Sequence, residues 1–573
     1  MNILGISSFV HDSAASLIKH GDLIANVEEE RFNRIKHTDA FPIQSIKYVL
    51  NAGGIEMSEI DKIAFNWNPY KSLIAEIIKF ALVPFTYYKV YRDTTPPKNF
   101  RSIVSTFKLK EIINEFFPNQ FKGQIVYVDH HLAHVASCYY LSPFSLQNAD
   151  VIIIDAHGDD CSTSVYSVKD HQLYLRWKIP IFHSLGILYT NFTKFLGFKD
   201  FEEGKTMALA SYGRDNYKNL FQEIIELQPK GRYRITDQKK YLALCSYMNG
   251  TLEKELGKKR NEGEPLEQRH FDIAYSMQNR IKEAIMHMVR YVATLSENKN
   301  LALSGGIFLN CDINREIILH SGYEKIFIPP FTSDTGGAVG AGLYAAFHSL
   351  KNIPENKKVF SPYLGPEYKN EEIFTIIKKH SVSYTKLEYP WKKAGEYLRD
   401  NKIVGWFQGR VEAGPRALGN RSILANPFSR ETRDRLNLKI KGREYFRPLG
   451  PIATADAALK YFDLQSPLPE LTQYMLLTVG VLPEYREKLP GITHIDGTAR
   501  IQVVTEEFNP EIYRLLVEFE KLTGYAVLIN TSFNRHAPIV CSPEDALNCY
   551  QAAQLDALFI GDYQVPSGIE MMQ

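Results

Sequence analysis

Two stretches of the chain repeat one order of elements: strand, acidic polar loop, strand, tight turn, strand. In the first, Asn2 to Ser7 is an apolar strand and Phe9-Val10-His11-Asp12-Ser13 is the loop. Ala14 to Ile18 follows, then a turn at Lys19-His20-Gly21-Asp22 and a third strand from Leu23 to Val27. In the second, Val151 to Ile154 leads into Asp155-Ala156-His157-Gly158-Asp159-Asp160. Ser162 to Val168, a turn at Lys169 to Gln172, and Leu173 to Ile179 complete it. Short apolar runs separated by Gly, Asp and His turns predict strands. Their recurrence in the same order predicts a duplicated α/β unit.

The connecting segments carry most of the chemistry. Gln124 to Val128 predicts a strand feeding a helix that opens at Asp129-His130-His131-Leu132-Ala133-His134. On that helix His130 and His134 lie four apart and share a face, whereas His131 points about 100° away. The pair reads either as two ligands for one metal ion or as two hydrogen-bonded histidines at a strand–helix junction. Gln268 to Leu295 predicts a long helix. Leu301 to Ser304 predicts a strand ending at Gly305-Gly306, where backbone can approach a nucleotide closely. Asp334 opens the small-residue run Thr335-Gly336-Gly337-Ala338-Val339-Gly340-Ala341-Gly342, which predicts a loop entering a tightly packed helix. In the actin-like ATPase and sugar-kinase architecture two such halves face each other across a cleft, with their first loops directed at phosphates.

Bulk composition narrows the class. Hydrophobic residues make up 45% and charged residues 23% of 573, with a net charge of +2. This is an ordinary globular composition, too balanced for a general nucleic-acid or membrane surface. The six cysteines include no Cys-x-x-Cys pair, which predicts reduced thiols and a cytoplasmic setting. The N-terminus lacks the pattern of a signal peptide. Past a Pro-, Lys- and Asn-rich boundary at Asn352 to Pro366 the charge pattern changes. Ten Lys and Arg residues fall between Gly409 and Arg447, opposed by only four acidic ones. They interleave with turn and packing residues, as in Gly414-Pro415-Arg416-Ala417-Leu418-Gly419-Asn420-Arg421-Ser422 and Phe446-Arg447-Pro448. That interleaving predicts a structured anion pocket of guanidinium forks and not a solvated face.

Together these motifs resemble the NodU/CmcH carbamoyltransferase family over nearly the whole length. The segments that carry the resemblance include His11-Asp12-Ser13-Ala14-Ala15, Glu28-Glu29-Glu30-Arg31-Phe32 with Lys36-His37, and His130 to His134. They continue with Glu203-Gly204-Lys205-Thr206-Met207-Ala208, Gly305-Gly306 through Asn310, and Gly414 to Ser422. Arg443-Glu444, Asp496-Gly497-Thr498-Ala499-Arg500 and Asn530-Thr531-Ser532-Phe533-Asn534 close the series. Gly450-Pro451 and Asn534-Arg535-His536-Ala537 depart from the usual pattern. The resemblance implies an actin-like carbamoyl-transfer domain over 1–355, related to the tRNA threonylcarbamoyl transferase. It implies a YrdC-like α/β domain over 356–573 that forms carbamoyladenylate from carbamoyl phosphate and ATP.

By the same resemblance the metal ligands map onto His130, His134, Asp155 and Asp334. The ion implied is iron(II), although two imidazoles and two carboxylates also suit manganese or zinc. His11, beside Asp12, is implied as general base toward an acceptor hydroxyl, or as a loop histidine that only hydrogen-bonds substrate. Arg416, Lys441, Arg447 and Arg500 are implied to clamp carbamoyl phosphate and ATP, with Asn530 and Ser532 adding neutral contacts. Lys205, Gly305, Gly306 and Asn310 are expected at the nucleotide or carbamoyl phosphate. Magnesium would accompany ATP. The lysine register stays open between Lys439 and Lys441.

The expected activity is ATP-dependent O-carbamoylation of a hydroxylated small molecule or sugar, with no nucleic-acid or membrane partner and with a homodimer as the candidate assembly. The alternatives are a tRNA-modifying relative and a non-catalytic, actin-like nucleotide-dependent regulator. A tRNA surface would need a broad basic, aromatic face, and Lys89 to Arg101 is short. Aromatics around Phe80 to Arg101 and Phe182 to Asp200 are candidate acceptor-site residues or core.

Overall fold

The computed structural model describes residues 1–82, 98–236, 250–348 and 360–566. The expected domain boundary at 355/356 and most of the Phe80–Arg101 segment lie outside the described residues. The chain forms two compact units: residues 1–29 with 37–360, and residues 30–36 with 361–573.

The first unit is built on two five-stranded sheets. One contains β1 (Asn2–Ser7), β2 (Ala14–Lys19), β3 (Asp22–Glu28), β4 (Lys62–Phe65) and β5 (Gln124–Tyr127), in the order β3-β2-β1-β4-β5. The other contains β6 (Ala149–Ile154), β7 (Cys161–Lys169) and β8 (Gln172–Pro180). After a separate hairpin of β9 (Ile225–Gln228) and β10 (Arg232–Ile235), β11 (Asn300–Ser304) and β12 (Lys325–Phe327) complete it, in the order β12-β11-β6-β7-β8. In both sheets the first three strands pair antiparallel and the last two join parallel. The strand order is therefore the same in each, and the unit is the duplicated actin-like α/β fold expected from the repeated meanders. The predicted helix after the loop region runs over Gln268–Ala293.

Two helices position the ionisable side chains of this unit. His130–Tyr139 begins just after β5, and Gly337–Phe347 follows Asp334. Nine of the ten residues in the first are buried, so its packing is dictated on nearly every side. Apart from Leu343, Tyr344 and Phe347 the second consists of Gly, Ala and Val, and this lets backbones approach. A Cβ on Gly340 would run into the Ala133 carbonyl oxygen, and one on Gly5 of β1 would run into the Ala338 carbonyl oxygen. Glycine at these two positions sets the separation of the helices from each other and from β1.

The second unit is organised on a nine-stranded mixed sheet of β13 (Thr385–Lys386), β14 (Val404–Phe407), β15 (Arg421–Ala425), β16 (Gly450–Thr454) and β17 (Leu477–Gly480). β18 (Thr498–Val504), β19 (Val527–Ser532), β20 (Ala557–Ile560) and β21 (Tyr563–Pro566) complete it, in the order β13-β21-β20-β14-β15-β19-β16-β18-β17. Its core joins Val404, Trp406, Leu424, Ile452, Leu528 and Phe559 of the sheet to Leu398, Leu515 and Phe519 of the helices Pro390–Arg399 and Pro510–Thr523. Among the described residues no helix is long and apolar enough to cross a membrane.

Replacing Gly340 by Ala inserts a methyl group where the Ala133 carbonyl stands. Chemical denaturation is expected to show a loss of about 3 kcal/mol, the upper range for overpacking a tight core.

Candidate active site and metal centre

In the first unit the ionisable side chains gather where the strands end. β1 ends at Ser7, and the following loop carries His11 and Asp12. β5 leads into His130 and His134, β6 ends one residue before Asp155, and β11 ends at Ser304 beside Gly305. Asp334 arrives from the segment after β12. Carboxyl ends of strands are where α/β sheets collect ligand-binding groups.

His130, His134, Asp155 and Asp334 are all buried and each offers one donor atom within 4.8 Å of the others. His130 Nε2 lies 3.2 Å from Asp155 Oδ2 and 3.4 Å from Asp334 Oδ1. His134 Nε2 lies 3.1 Å and 3.6 Å from the same two oxygens. The two Nε2 atoms are 3.1 Å apart. Ser304 Oγ donates to the Thr332 carbonyl at 3.1 Å and so accepts from His134 Nδ1 at 3.0 Å. That fixes the His134 proton on Nδ1 and turns the Nε2 lone pair into the cluster. Burial alone would lower the His130 pKa, but the Asp334 and Asp155 carboxylates reverse this and hold it up to about 10. Burial would raise Asp155, yet the two histidines hold it well below the usual carboxylate range. Two imidazole nitrogens and two carboxylate oxygens pointing at one another in a buried space fit a divalent transition-metal ion.

The surroundings keep this donor set in place. Trp67 stacks on His130 with centroids 4.0 Å apart. Asp159 accepts from the His130 amide at 2.7 Å, from the Asn68 amide at 3.0 Å and from Ser72 Oγ at 2.6 Å, tying the start of the ligand helix to its neighbour. His131 turns to Ser164 Oγ at 2.7 Å and stays apart from the cluster. Gly306 donates its amide to Asp155 Oδ1 at 3.1 Å. Gly305 adopts φ +110°, and a Cβ there would strike the Ile154 carbonyl. Of the glycine pair expected at a nucleotide, Gly306 thus contacts the Asp155 carboxylate and Gly305 the Ile154 backbone. Asn310 caps the helix Cys311–His320 with Oδ1 and donates Nδ2 to Gln278 at 3.0 Å. Lys205 pairs with Glu202 at 2.7 Å and lies over Phe198.

His11 adjoins the cluster. Its Nε2 is 3.4 Å from Asp334 Oδ2 and its Nδ1 is 3.1 Å from Asp12 Oδ2. The other Asp12 oxygen takes His37 Nδ1 at 2.8 Å. Against burial, Asp334 and Asp12 raise the His11 pKa to about 9. His37, quoted in the sequence only as part of a motif, is thus a neighbour of the site that pattern alone did not single out.

In the second unit the basic run separates into different environments. Arg421 is fully buried and donates to the Gln408, Asn420, Pro366 and Gly409 carbonyls, with its guanidinium over Phe407. Glu412 Oε1 accepts the Leu418, Asn420 and Arg421 amides at 2.8, 2.8 and 3.0 Å, shaping the loop that carries Arg416. Arg435 pairs with Asp556. Arg443, by contrast, sits among Arg447, Arg500 and Arg416. Burial and these like charges lower its pKa to about 9, with Glu444 pulling too weakly the other way. Desolvation and the Arg443 and Arg447 charges also lower Lys36, against Glu30. Arg500 Nε and Asn530 Oδ1 are buried with no partner among the described residues. Like charges held this close are unfavourable until an anion joins them.

Lys441 is the buried member of the lysine pair at 1% exposure, whereas Lys439 faces solvent. Its Nζ donates to the Ser532 and Asn534 carbonyls and to Asn534 Oδ1, each at 2.6 Å, with Ser532 Oγ at 3.3 Å. Three N–H groups are matched by three short acceptors, so Lys441 holds the loop after β19 in shape. Arg443 and Lys36 join Arg416, Arg447 and Arg500 as cluster members that the motif reading did not single out.

A family model described as "Carbamoyltransferase N-terminus" matches residues 2–343, and one described as "Carbamoyltransferase C-terminus" matches 395–566. An uncharacterized protein of Synechocystis sp. is 36% identical over 98% of this chain and 96% of its own length. Nodulation protein NolNO of Sinorhizobium fredii is 32% identical over 98% of this chain and 79% of its own. Among solved structures, full-length HypF in its phosphate- and nucleotide-bound form covers 61% of this chain and 56% of its own, at 13% identity and a TM-score of 0.33. A score that low carries no weight, and the fold rests on strand order.

The arginine cluster yields a stability prediction. Pyrophosphate at one hundred times its Kd is expected to add about 2.7 kcal/mol to stability, read as a rise in Tm. Arg443→Met should abolish most of that rise. Lys441→Met strands buried acceptors and is expected to cost about 2 kcal/mol without ligand, measured by urea denaturation.

Proposed function

Since the chain belongs to the carbamoyltransferase family, we propose that it is an ATP-dependent O-carbamoyltransferase that works through carbamoyladenylate. The observation that carries this reading is the pairing of two sites of opposite character. One is a buried His/Asp donor set, and the other is a group of arginines whose like charges hold the Arg443 pKa down.

Atom balance orders the chemistry in the second unit. Water cleaves carbamoyl phosphate to carbamate and inorganic phosphate. A carbamate oxygen then attacks the α-phosphorus of ATP, and pyrophosphate leaves with both electrons of the broken P–O bond. Arg416, Arg443, Arg447 and Arg500 hold the anionic partners together and stabilise charge that builds on the leaving group. Asn530 offers an unsatisfied amide oxygen to an N–H of the carbamate. Lys441 acts at one remove, by fixing the Ser532–Asn534 loop. Magnesium accompanies ATP.

In the first unit an acceptor hydroxyl attacks the carbamoyl carbon and AMP departs. His130, His134, Asp155 and Asp334 would hold a divalent ion, in our reading iron(II), and such an ion would supply Lewis acidity toward a carbonyl oxygen. Asp12 holds the Nδ1 proton of His11, which in the neutral ring leaves Nε2 to take the hydroxyl proton. Trp67 and the buried helix His130–Tyr139 keep water from the donor set. The acceptor is a hydroxylated small molecule or sugar.

Incubation with 13C-carbamoyl phosphate, ATP and magnesium is expected to release pyrophosphate and inorganic phosphate and to form carbamoyladenylate. Folded protein that releases no pyrophosphate sinks the proposal. His130→Ala should keep pyrophosphate release within about twofold and reduce carbamoyl transfer at least ~100-fold, the scale of losing one electrostatic stabiliser. Arg500→Met should lose pyrophosphate release itself.

A further inference from the structure

Gln502 is a buried side chain of β18, two residues along the strand from Arg500. The two ends of its amide meet different partners. Nε2 donates to the Leu418 carbonyl at 2.8 Å. Oε1 accepts from Asn530 Nδ2 at 2.8 Å, and the same Nδ2 donates to the Ala417 carbonyl at 3.2 Å. A backbone carbonyl oxygen only accepts. The Leu418 carbonyl therefore claims the N–H end of Gln502, which leaves the oxygen end for Asn530. The Ala417 carbonyl makes the same demand of Asn530. Both amides are locked in one sense, and both Nδ2 hydrogens of Asn530 are used. The atom left over is Asn530 Oδ1, buried and without a partner among the described residues.

The two carbonyls are firm references. Glu412 Oε1 accepts the Leu418, Asn420 and Arg421 amides of their loop, and the Leu418 carbonyl also accepts from the Tyr363 hydroxyl at 2.8 Å. In the sheet, Asn530 stands opposite Gly450 of β16, and Gln502 stands opposite Ile452. Residues two apart on a strand share a face, so Arg500, Gln502 and Asn530 project from one face of the sheet. Gly450 has no side chain, so the Asn530–Gln502 bridge crosses β16 unobstructed. A buried acceptor left unpaired is costly. This one shares its face with Arg500, whose Nε is buried and likewise without a partner among the described residues.

We infer that Gln502 is a positioning residue that holds Asn530 as a hydrogen-bond acceptor toward the amino group of the bound carbamate, so that the second unit selects an acyl donor carrying N–H over one carrying only C–H. Gln502 acts through Asn530 and touches no reacting atom. With the Asn530 amide turned over, Nδ2 would face the ligand and the preference for an N–H would be lost. The inference rests on the adenylate reading above and adds to it the residue that sets its choice of donor.

The test follows pyrophosphate release from ATP with carbamoyl phosphate and, separately, with acetyl phosphate, in which a methyl group replaces the amino group. The readout is the ratio of the two kcat/KM values, from which the fraction of folded enzyme cancels. The wild-type chain is expected to favour carbamoyl phosphate at least ~100-fold, because the acetyl methyl leaves a buried acceptor unpaired. Asn530→Leu, which has no acceptor, should lose most of that preference. Gln502→Met, with Gln502→Leu as a second apolar replacement, should lower the ratio at least ~10-fold, within the coupling of residues in contact. Both should keep the pyrophosphate-induced rise in Tm, which reports the arginines. In the Asn530→Leu background, Gln502→Met should move the ratio by less than about twofold, since the residue it acts through is gone. An unchanged ratio in both Gln502 variants overturns the inference. So does a Gln502→Met effect that persists without Asn530, or a wild-type chain that uses the two donors equally. Absence of pyrophosphate with either donor is a different failure: it removes the adenylate reading, and the inference with it.

Discussion

The close approach of Gly340 to the Ala133 carbonyl is the contact on which the donor set depends. Ala133 lies between His130 and His134, and Gly340 lies six residues after Asp334. Any widening of that helix crossing carries two imidazoles away from one carboxylate. The same small-residue helix rests on β1 through Gly5, and β1 leads directly into the loop of His11 and Asp12. One set of backbone contacts therefore sets the relative positions of His11, His130, His134 and Asp334. Ordinary side chains at Gly340 or Gly5 would still give an apolar helix and a strand, but not donor atoms within 4.8 Å. Interiors this tightly packed shift between arrangements and do not deform smoothly.

Each unit gathers charges whose protonation depends on the groups beside them. In the first, two carboxylates and two histidines are buried together, and the protons that relieve the carboxylates are ones a metal ion would displace. In the second, Arg443 is half-buried among like charges. Neither arrangement helps folding by itself, because a charge removed from water needs a partner in the same dry space. Sites of this kind are stable in proportion to their ligands. Arg421 and Lys441 make the contrast. Both are at least as buried, yet each is surrounded by carbonyl oxygens at hydrogen-bond distance. Burial of a cation alone does not mark an anion site; like charges gathered around it do.

Much of the first unit was legible in the chain. The repeated strand–loop–strand–turn–strand order matched β1 to β3 and β6 to β8 to within two residues at each end, because short apolar strands and Gly or Asp turns leave local marks. The His130–His134 spacing was legible for a similar reason, since helix periodicity is local. The contacts that Gly305, Gly306 and Asn310 make within the unit were not. Glycines permit close backbone approach to many things, and only tertiary structure shows that the thing approached is Ile154 and the Asp155 carboxylate. In the basic run, Arg410, Arg421 and Arg435 look like Arg416 and Arg447 in sequence. Their separation follows from strand pairing and loop shape that residue spacing does not encode. Lys439 and Lys441 differ by two positions, and the π-helical turn at Arg435–Ile440 decides which is buried.

Strain completes the division of labour between scaffold and site. His130, His134 and Asp155 lie in or directly after regular elements whose hydrogen bonds are satisfied, so their precision comes from packing. Asp12, His37 and Phe201 lie in loops with left-handed backbones, and their precision comes from being forced. A conformation held against its own preference relaxes when one restraint is lost, whereas a packed helix tolerates the loss. The two sources suit different demands. A metal-ligating set requires fixed donor positions for one small ion. A surface facing an exchangeable molecule requires particular side chains to stay presented while their far side remains open.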